Sequence, residues 1–386
     1  MRMEEKLSSR IIPIVRPWFS EEEEEILAET LRSGWVAQGP RVRSFEEALA
    51  RYVGAPYAVA TNSCTSALQV TLEILGVGPG DEVILPSFTF IATANAVVHR
   101  GARPVFVDID PRTYNLHPGA VEASVTPRTK AVIAVDQGGL PANLAPLHLI
   151  ANRKHLSVLE DAACALGSVY HGKKVGATSD LSCFSFHPRK LITTGEGGMI
   201  TATRQEYAQA ARTLVSHGAS VSDLARHQSS KVLFEEYRVA GYNYRMSDLQ
   251  AAVGLAQMKK LDEILVRKRF LAERYHKAFE SMDELVPPFE PEGIKGNFQS
   301  YLLRIRSSTK KGRDAIMEEL LRKGISTRRG IMAIHLEPAY RDRFGPFSLP
   351  ETERAFRETL ILPLYPQMTV EEQAYVIESL KETLVS

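Results

Sequence analysis

Cysteine is scarce in this chain. Only Cys64, Cys164 and Cys183 occur in 386 residues, and long intervals separate them. Disulfide-rich domains need many cysteines, and structural zinc sites need closely spaced ones. We therefore predict no disulfide framework and no metal site, and we expect three small buried thiols in a reducing compartment.

An excess of charge and long hydrophobic runs are also missing. The 47 basic residues nearly cancel the 46 acidic ones, which does not favour nucleic acid or an anionic membrane as a partner. No apolar stretch approaches the roughly 20 residues that cross a bilayer. No apolar region of the kind found in secretory signals follows Met1 to Lys6, so we expect a cytoplasmic protein.

What the chain does have is a regular alternation of short apolar runs with helical patterns. The predicted strands are 57–61, 82–85, 104–108, 130–135, 157–161 and 182–186, and helices are predicted at 65–75, 91–99 and 144–154. Continuous apolar strands separated by helices are typical of a mostly parallel sheet that is covered on both faces. The predicted fold class is therefore α/β, in which ligands bind at the carboxyl ends of the strands.

Two helix patterns frame this region. Ser20 before the acidic run Glu21–Glu25 predicts an N-cap followed by a solvated first turn. A long charged amphipathic helix is predicted from about Ser247 to Ser281, and a smaller α+β region follows it. We predict a large domain at residues 1–255 and a small C-terminal domain at residues 256–386.

Two predicted strand ends carry residues that could take part in catalysis. Lys190 follows the strand 182–186 and precedes a glycine-rich segment. A lysine after a strand is more often a solvated surface residue, but burial would lower its pKa and make it an amine nucleophile. Asp161 closes another strand. An aspartate there is often a helix cap, but it can also keep a pyridine nitrogen protonated, so that the ring withdraws electrons.

Two further strand ends suit a planar, phosphorylated ligand. Asn62 to Ser66 joins a strand to a helix, where backbone N–H groups and hydroxyls can bind phosphate, although a plain N-cap has the same sequence. Phe90 follows the strand 82–85, where an aromatic ring is usually core but can also stack on a planar ring. Each signal is weak alone. Their order along the chain is similar to that in pyridoxal-5'-phosphate (PLP) enzymes of the aspartate-aminotransferase fold.

The chain resembles the DegT/DnrJ/StrS family of PLP-dependent sugar aminotransferases from about Pro13 through its C-terminal region. The motifs that carry the resemblance are Asn62-Ser63-Cys64-Thr65-Ser66-Ala67-Leu68, Gly78-Pro79-Gly80-Asp81-Glu82-Val83, Pro86-Ser87-Phe88-Thr89-Phe90, Asp108-Ile109-Asp110, Glu160-Asp161-Ala162-Ala163, Phe184-Ser185-Phe186, Lys190, Gly195-Glu196-Gly197-Gly198-Met199 and Gly241-Tyr242-Asn243-Tyr244-Arg245-Met246. The resemblance implies the PLP-dependent transferase fold of type I, with a large sheet-containing domain and a smaller C-terminal α+β domain.

The resemblance also implies residue roles. Lys190 would hold PLP as a Schiff base and move the proton between cofactor and substrate carbons, and Asp161 would pair with the ring nitrogen. The other implied cofactor-binding residues are Phe90 for the ring, Cys64, Thr65 and Ser185 for the phosphate, Cys164 near the ring hydroxyl, and Asn243, which would reach the phosphate from the neighbouring subunit of a homodimer with shared active sites.

The implied reaction transfers an amino group from L-glutamate to a keto-sugar, usually a nucleotide-linked 3- or 4-keto-6-deoxy sugar, by a ping-pong mechanism. A cyclitol or another cyclic ketone is the alternative acceptor. Three departures from the family pattern bear on the acceptor and the cofactor environment. Cys64 stands where relatives usually have glycine, Cys164 where many have glutamine, and Asp136-Gln137-Gly138-Gly139 replaces a commoner histidine-containing turn.

Other interpretations remain open at this point. Cysteine desulfuration on the same fold would need a nucleophilic cysteine on a mobile loop, whereas all three cysteines lie in strand or helix-start contexts. A non-enzymatic regulator that retained the fold would be expected to have lost Lys190 or Asp161, and both are present. A nicotinamide-binding enzyme is disfavoured because no Gly-x-Gly-x-x-Gly motif follows the first strand.

Overall fold

The computed structural model describes residues 11–385 as alternating strands and helices. In chain order the strands are β1 (Tyr57–Thr61), β2 (Glu82–Pro86), β3 (Arg103–Val107), β4 (Thr129–Val135), β5 (Ser157–Asp161), β6 (Val169–Tyr170), β7 (Lys173–Lys174), β8 (Leu181–Ser185), β9 (Gly198–Ala202), β10 (Leu285–Val286), β11 (Ile294–Lys295), β12 (Tyr301–Ile305), β13 (Arg328–Arg329) and β14 (Thr359–Leu362). The α-helices are Glu21–Ser33, Pro40–Val53, Cys64–Ile74, Ala92–His99, Pro118–Ala123, Leu144–Lys154, Gln205–Val215, Asp223–Gln228, Asp248–Phe279, Arg313–Arg322, Pro338–Phe344, Pro350–Glu358 and Val370–Val385.

The largest sheet is mostly parallel. Within residues 11–385 it has seven strands in the order β1-β9-β8-β5-β4-β2-β3. The strands from β3 across to β8 pair in parallel, whereas β9 runs antiparallel to both β8 and β1. The predicted α/β fold with a mostly parallel sheet is confirmed, and the predicted strands agree with those observed to within two residues.

Helices cover both faces of this sheet, and the strands are apolar for that reason. Val83 and Leu85 of β2 pack into one hydrophobic cluster, whereas Ile84 between them packs into another. Ile133 and Val132 of β4 divide between the same two clusters. Because successive side chains of a strand point to opposite faces, a strand covered on both sides needs an apolar residue at nearly every position.

The first helix begins as the sequence predicts, but its acidic turn is not fully solvated. Ser20 and Glu23 form a capping box at the start of Glu21–Ser33. Glu23 is 3% exposed and pairs with Lys260 at 2.5 Å. Burial alone would raise the pKa of Glu23, but hydrogen bonds from Lys260, Gln257 and Ser20 outweigh burial and lower it. The prediction that this turn is solvated is therefore wrong at Glu23. Its ion pair with Lys260 links the first helix to the helix Asp248–Phe279.

The long helix Asp248–Phe279 connects the two halves of the chain. Ser247 caps it in a capping box with Gln250, in agreement with the predicted helix start. Glycine at position 254 permits a close helix crossing, since a Cβ there would lie 2.7 Å from the ring of Phe45. The predicted domain boundary at residues 255–256 falls within this helix, and it stays a prediction.

The C-terminal half contains a second sheet. Its strands follow the order β10-β12-β14-β13 and pair antiparallel. Tyr275 and Phe279 of the long helix pack with Tyr301 and Leu303 of β12 in a separate hydrophobic cluster. Within residues 11–385 no helix is both long enough and apolar enough to cross a bilayer. The predicted lack of a secretory signal concerns Met1 to Lys6, which lie outside the described residues.

A buried lysine lies beneath the junction between the halves. Lys268 of the long helix is 2% exposed, and its Nζ donates a hydrogen bond to the backbone oxygen of Gln299 at 2.9 Å. Burial lowers the pKa of Lys268 to about 7, although Cys164 acts in the opposite direction. Between this value and the ordinary lysine pKa of about 10.4, the unfolded chain binds more protons at this position than the folded protein does.

Lys268→Met tests this buried charge. The cost of the buried ammonium is fully present below pH 7 and disappears as the pH rises to the pKa of the unfolded chain. We therefore expect the stability of Lys268→Met relative to wild type to decrease from pH 7 to pH 10, by an amount on the order of 4 kcal/mol. Urea unfolding across this pH range measures it. Lys277→Met, on the exposed side of the same helix, is the control, and a pH-independent difference for Lys268→Met would contradict the prediction.

Candidate functional site

Asp161 lies at the carboxyl end of β5 in the middle of the sheet. It is 4% exposed, and its carboxylate accepts hydrogen bonds from Thr93 Oγ1 at 2.8 Å and from the Ala163 backbone N–H at 3.2 Å. Burial raises the pKa of Asp161, although Thr93, Ala163 and Lys190 act in the opposite direction. Among residues 11–385 no basic side chain forms an ion pair with it, so a cationic ligand group would meet a carboxylate held in one orientation.

Lys190 lies in the turn that follows β8, the neighbouring strand. Its backbone N–H donates to the backbone oxygen of His187, which closes the turn. Its side-chain Nζ lies 3.1 Å from the Sγ of Cys164, so the amine contacts the protein rather than extending into solvent. Burial lowers the pKa of Lys190, but its contact with Cys164 and the charge of Asp161 outweigh burial and raise it. The predicted lowering of the Lys190 pKa by burial is therefore wrong for the protein without ligand. The structure thus brings Lys190, Cys164 and Asp161 together at adjacent strand ends.

The predicted phosphate loop begins the helix Cys64–Ile74. Ser63 is its N-cap, and the Ser63 hydroxyl accepts a hydrogen bond from the Ser66 backbone N–H. Gly198 of β9 packs against this turn, since a Cβ there would lie 2.6 Å from the backbone nitrogen of Cys64. At least this glycine of the glycine-rich segment is therefore needed for packing against the protein itself. Thr65, at the start of the helix, is partly buried.

The remaining predicted residues differ in exposure. Phe90 is 57% exposed in the loop after β2, so its ring is not packed into the core. Ser185 ends β8, with its hydroxyl 3.5 Å from the backbone N–H of His187. Asn243 is exposed, and its backbone oxygen accepts a long, 3.4 Å hydrogen bond from the side chain of Asn62 in the phosphate loop. Its predicted contact with a second subunit stays a prediction.

Asp136, at the start of the turn after β4, is buried next to the end of β5. Asp136 is completely buried, and one carboxylate oxygen accepts a hydrogen bond from the backbone N–H of Ala142. Burial, and then the neighbouring Glu160, raise the pKa of Asp136 well above its ordinary value. Glu160 is itself buried and is held by Ser182 and Thr178. The Asp136 side chain therefore stabilises the turn that follows it, and the effect of the segment 136–139 on the acceptor stays a prediction.

Two of the three thiols are buried in apolar surroundings. Burial raises the pKa of the Cys64 thiol well above its ordinary range, and it also raises that of Cys183. Both remain protonated and unreactive at neutral pH, which argues against cysteine desulfuration at either residue. Cys164 differs from them, because it is partly exposed and touches the Lys190 amine.

The sequence did not point to three residues around this site. Thr93 orients Asp161 from the first turn of the helix Ala92–His99, and a hydroxyl three residues after Phe90 was a local signal for it. Asn297 and Gln299 hydrogen-bond to the backbone of Cys164 and Arg189 from the other half of the chain. No local sequence signal distinguishes these two residues.

The residues present fit PLP. An amine at Lys190 can bond an aldehyde carbon, and a fixed carboxylate at Asp161 can face a cationic ring nitrogen. An exposed aromatic ring at Phe90 offers a stacking surface, and a helix start at Thr65 offers backbone N–H groups to a phosphate. These groups come from separate strand ends along one edge of the sheet.

Comparisons with known proteins agree with this assignment. SpsC of Bacillus subtilis, a spore coat polysaccharide biosynthesis protein, is 39% identical over 378 residues, which cover 97% of each chain. Spr1654 of Streptococcus pneumoniae, solved in a PMP form, matches with a TM-score of 0.91 and 30% identity over 97% of this chain and 99% of that one. PseC of Helicobacter pylori, an aminotransferase involved in pseudoaminic acid biosynthesis, matches with a TM-score of 0.91 and 28% identity over 97% and 100%.

The family description DegT/DnrJ/EryC1/StrS aminotransferase matches residues 17–381, nearly the whole chain. The match confirms the predicted family, and with the structural neighbours it confirms the type I fold, the PLP cofactor and the enzyme class. The individual residue roles stay predictions. On its sequence, its fold and the residues at its strand ends, the chain belongs to the DegT/DnrJ/EryC1/StrS family of PLP-dependent aminotransferases.

Proposed function

We propose that this protein transfers an amino group from L-glutamate to a keto-sugar, in particular a nucleotide-linked 3- or 4-keto-6-deoxy sugar, in two half-reactions of a ping-pong mechanism. The observation that carries the transfer chemistry is the contact of the Lys190 amine with Cys164, three residues after Asp161 at the end of the neighbouring strand. The sugar acceptor is supported by two relatives whose names refer to polysaccharide and pseudoaminic acid biosynthesis.

Lys190 and Asp161 would have separate roles in the reaction. Bound PLP supplies an electrophilic carbon and a ring that withdraws electrons from the substrate. The Lys190 amine would bond the cofactor and, once displaced by the substrate amine, would carry a proton between carbon atoms. Asp161 would be ionised beside a cationic ring nitrogen, since an opposite charge offsets the effect of burial on its pKa. The hydrogen bond from Thr93 holds that carboxylate in one orientation.

The phosphate would be bound at the start of the helix Cys64–Ile74. Backbone N–H groups at Cys64 and Thr65 lie at the positive end of the helix dipole, where anions are stabilised. The hydroxyls of Thr65 and Ser185 would add donors. Phe90 would cover one face of the ring, since its side chain is 57% exposed and not packed into the core.

Asn243 would complete the phosphate site of a second subunit in a homodimer. The stretch that precedes it carries several exposed apolar side chains, with Val232 80%, Phe234 86% and Tyr237 64% exposed. A cluster of this kind on one short stretch is typical of an interaction surface. A second copy that covers it would lie beside Asn243, which is itself exposed.

Lys190→Ala tests the first half-reaction. The purified wild-type protein is expected to show visible absorption from bound cofactor that bleaches when L-glutamate is added, whereas Lys190→Ala lacks this response because the bonding amine is gone. Absorption spectra before and after addition measure both. Lys277→Ala, which removes an exposed lysine elsewhere, should behave as wild type. A wild type that stays colourless with added PLP would overturn the proposed function.

An acceptor panel tests the second half-reaction. Protein loaded with the aminated cofactor is offered 3-keto and 4-keto nucleotide sugars, and cyclic ketones including cyclitol-derived ones. We expect the visible absorption of PLP to return with at least one of the nucleotide sugars. We expect it to return with none of the cyclic ketones. Return only with a cyclitol-derived or other cyclic ketone would replace the nucleotide-sugar acceptor with that alternative, while the first half-reaction would stand.

Subunit complementation tests the role of Asn243. Lys190→Ala and Asn243→Ala are co-expressed with two affinity tags, and the mixed dimer is purified through both. If Asn243 serves the partner's site, one of the two sites in the mixed dimer is intact, so we expect about half of the wild-type activity per dimer. Each variant alone should be nearly inactive. Mixed dimers as inactive as the parents would show that Asn243 serves its own subunit.

A further inference from the structure

The segment Asn297–Ser300 leads into β12 and reaches the site from the C-terminal half of the chain. Asn297 is completely buried. Its side-chain Nδ2 donates hydrogen bonds to the backbone oxygen of Cys164 at 2.7 Å and to that of Leu166 at 2.9 Å. An amide that donates to two carbonyls fixes the course of the loop on which Cys164 lies.

Gln299, two residues further on, holds the other side of the site. Its Nε2 donates to the backbone oxygen of Arg189 at 2.8 Å, directly before Lys190. Its Oε1 accepts from the Ser300 hydroxyl at 3.0 Å, and its backbone N–H donates to Oδ1 of Asn297 at 2.7 Å. The Asn297 side chain is therefore linked to the Gln299 backbone, and the two amide side chains bind the backbone on both sides of the Lys190–Cys164 contact.

The segment is also fastened to the turn after β4. The backbone N–H groups of Asn297 and Ser300 donate to the backbone oxygens of Gly139 and Gly138. Glycine is required at position 139, where φ is 96° and a Cβ would lie 1.8 Å from Oδ1 of Asn297. The glycine pair therefore allows the segment to approach the strand ends closely.

Lys268 supports the segment from below. Its Nζ donates to the backbone oxygen of Gln299 at 2.9 Å, and this lysine is almost completely buried. An amine donates this hydrogen bond whether or not it is charged, so the contact persists across the pKa of about 7 that burial gives Lys268. With the hydrogen bonds to Arg189, Ser300 and Asn297, it leaves Gln299 little freedom to move.

We propose that Asn297 and Gln299 are positioning residues, which set the place of the Lys190 amine by holding the backbone on both sides of its contact with Cys164. The Lys190 side chain has four rotatable bonds, so the direction of its amine depends on where its backbone and its one sulfur neighbour lie. A displacement of about 1 Å at a reacting atom can lower a rate by roughly 100-fold. This inference rests on the proposed role of Lys190 as the cofactor-bonding residue.

Gln299→Ala and Asn297→Ala in the cofactor-loaded protein test the proposal. Gln299 is the cleaner site because it is only partly buried, whereas loss of the buried Asn297 can also impair folding. Gln373→Ala is the matched control. Gln373 is a buried glutamine that donates to the backbone oxygen of Leu271 at 2.7 Å, but it lies in the C-terminal helix and has no contact with Lys190 or Cys164. Thermal unfolding of each variant shows that it is folded.

The decisive measurement is the pH titration of the visible absorption of bound cofactor. We expect Gln299→Ala to shift its midpoint by about half a pH unit or more, because the amine that bonds the cofactor takes a different position relative to Asp161. We also expect kcat for the glutamate half-reaction to fall by about 10- to 100-fold, with a smaller change in KM. Gln373→Ala should leave both unchanged.

An unchanged titration midpoint and an unchanged kcat in folded Gln299→Ala would overturn the positioning role. So would equal changes in Gln373→Ala, since these would reflect a general loss of stability. Failure of the proposed function would give a different result. In that case the wild type would show no bleaching with L-glutamate, or Lys190→Ala would still bleach, independently of the result for Gln299→Ala.

Discussion

A sheet that is buried on both faces leaves little room for charge except at the ends of its strands. Helices cover both sides of β2 and β4, so their side chains divide between two hydrophobic clusters. Parallel pairing then puts the carboxyl ends of β2, β4, β5 and β8 along one edge. Asp161 ends one of two neighbouring strands and Lys190 follows the other, so both lie at this edge although they are 29 positions apart in the chain. The candidate site is a consequence of this pairing.

Burial raises the pKa values of the acidic groups near the site, and hydrogen bonds offset part of the cost of burying them. Asp136, Glu160 and Asp161 lie close together with little exposure, and burial raises the pKa of each. Backbone and hydroxyl donors hold these carboxylates, which fixes their orientation as well as offsetting part of the desolvation. In the proposed function, a carboxylate held in this way would pair with a cationic ring nitrogen, and that charge would add to the effect of Lys190 in favouring the ionised form.

The sequence was most informative where local chemistry and local structure coincide. Strand bounds, the N-cap at Ser20, the helix start near Ser247 and the order of motifs could all be predicted from neighbouring residues. The same local approach failed at Glu23, which reads as one more acid in a solvated turn but is buried against Lys260. It also could not show that the Asp136 carboxylate accepts a hydrogen bond from the Ala142 backbone. In both cases the partner, or the direction of the side chain, depends on packing.

The sequence by itself determined the α/β class, the family and the chemical identity of the groups at the strand ends, because apolar periodicity, capping and motif order are properties of short segments. Only the tertiary structure decided which of these groups touch. The contact between Lys190 and Cys164, the orientation of Asp161 by Thr93, and the approach of Asn297 and Gln299 join residues that lie 26 to 133 positions apart. Contacts over such separations arise from chain topology and close packing, so the sequence pattern of a single segment does not predict them.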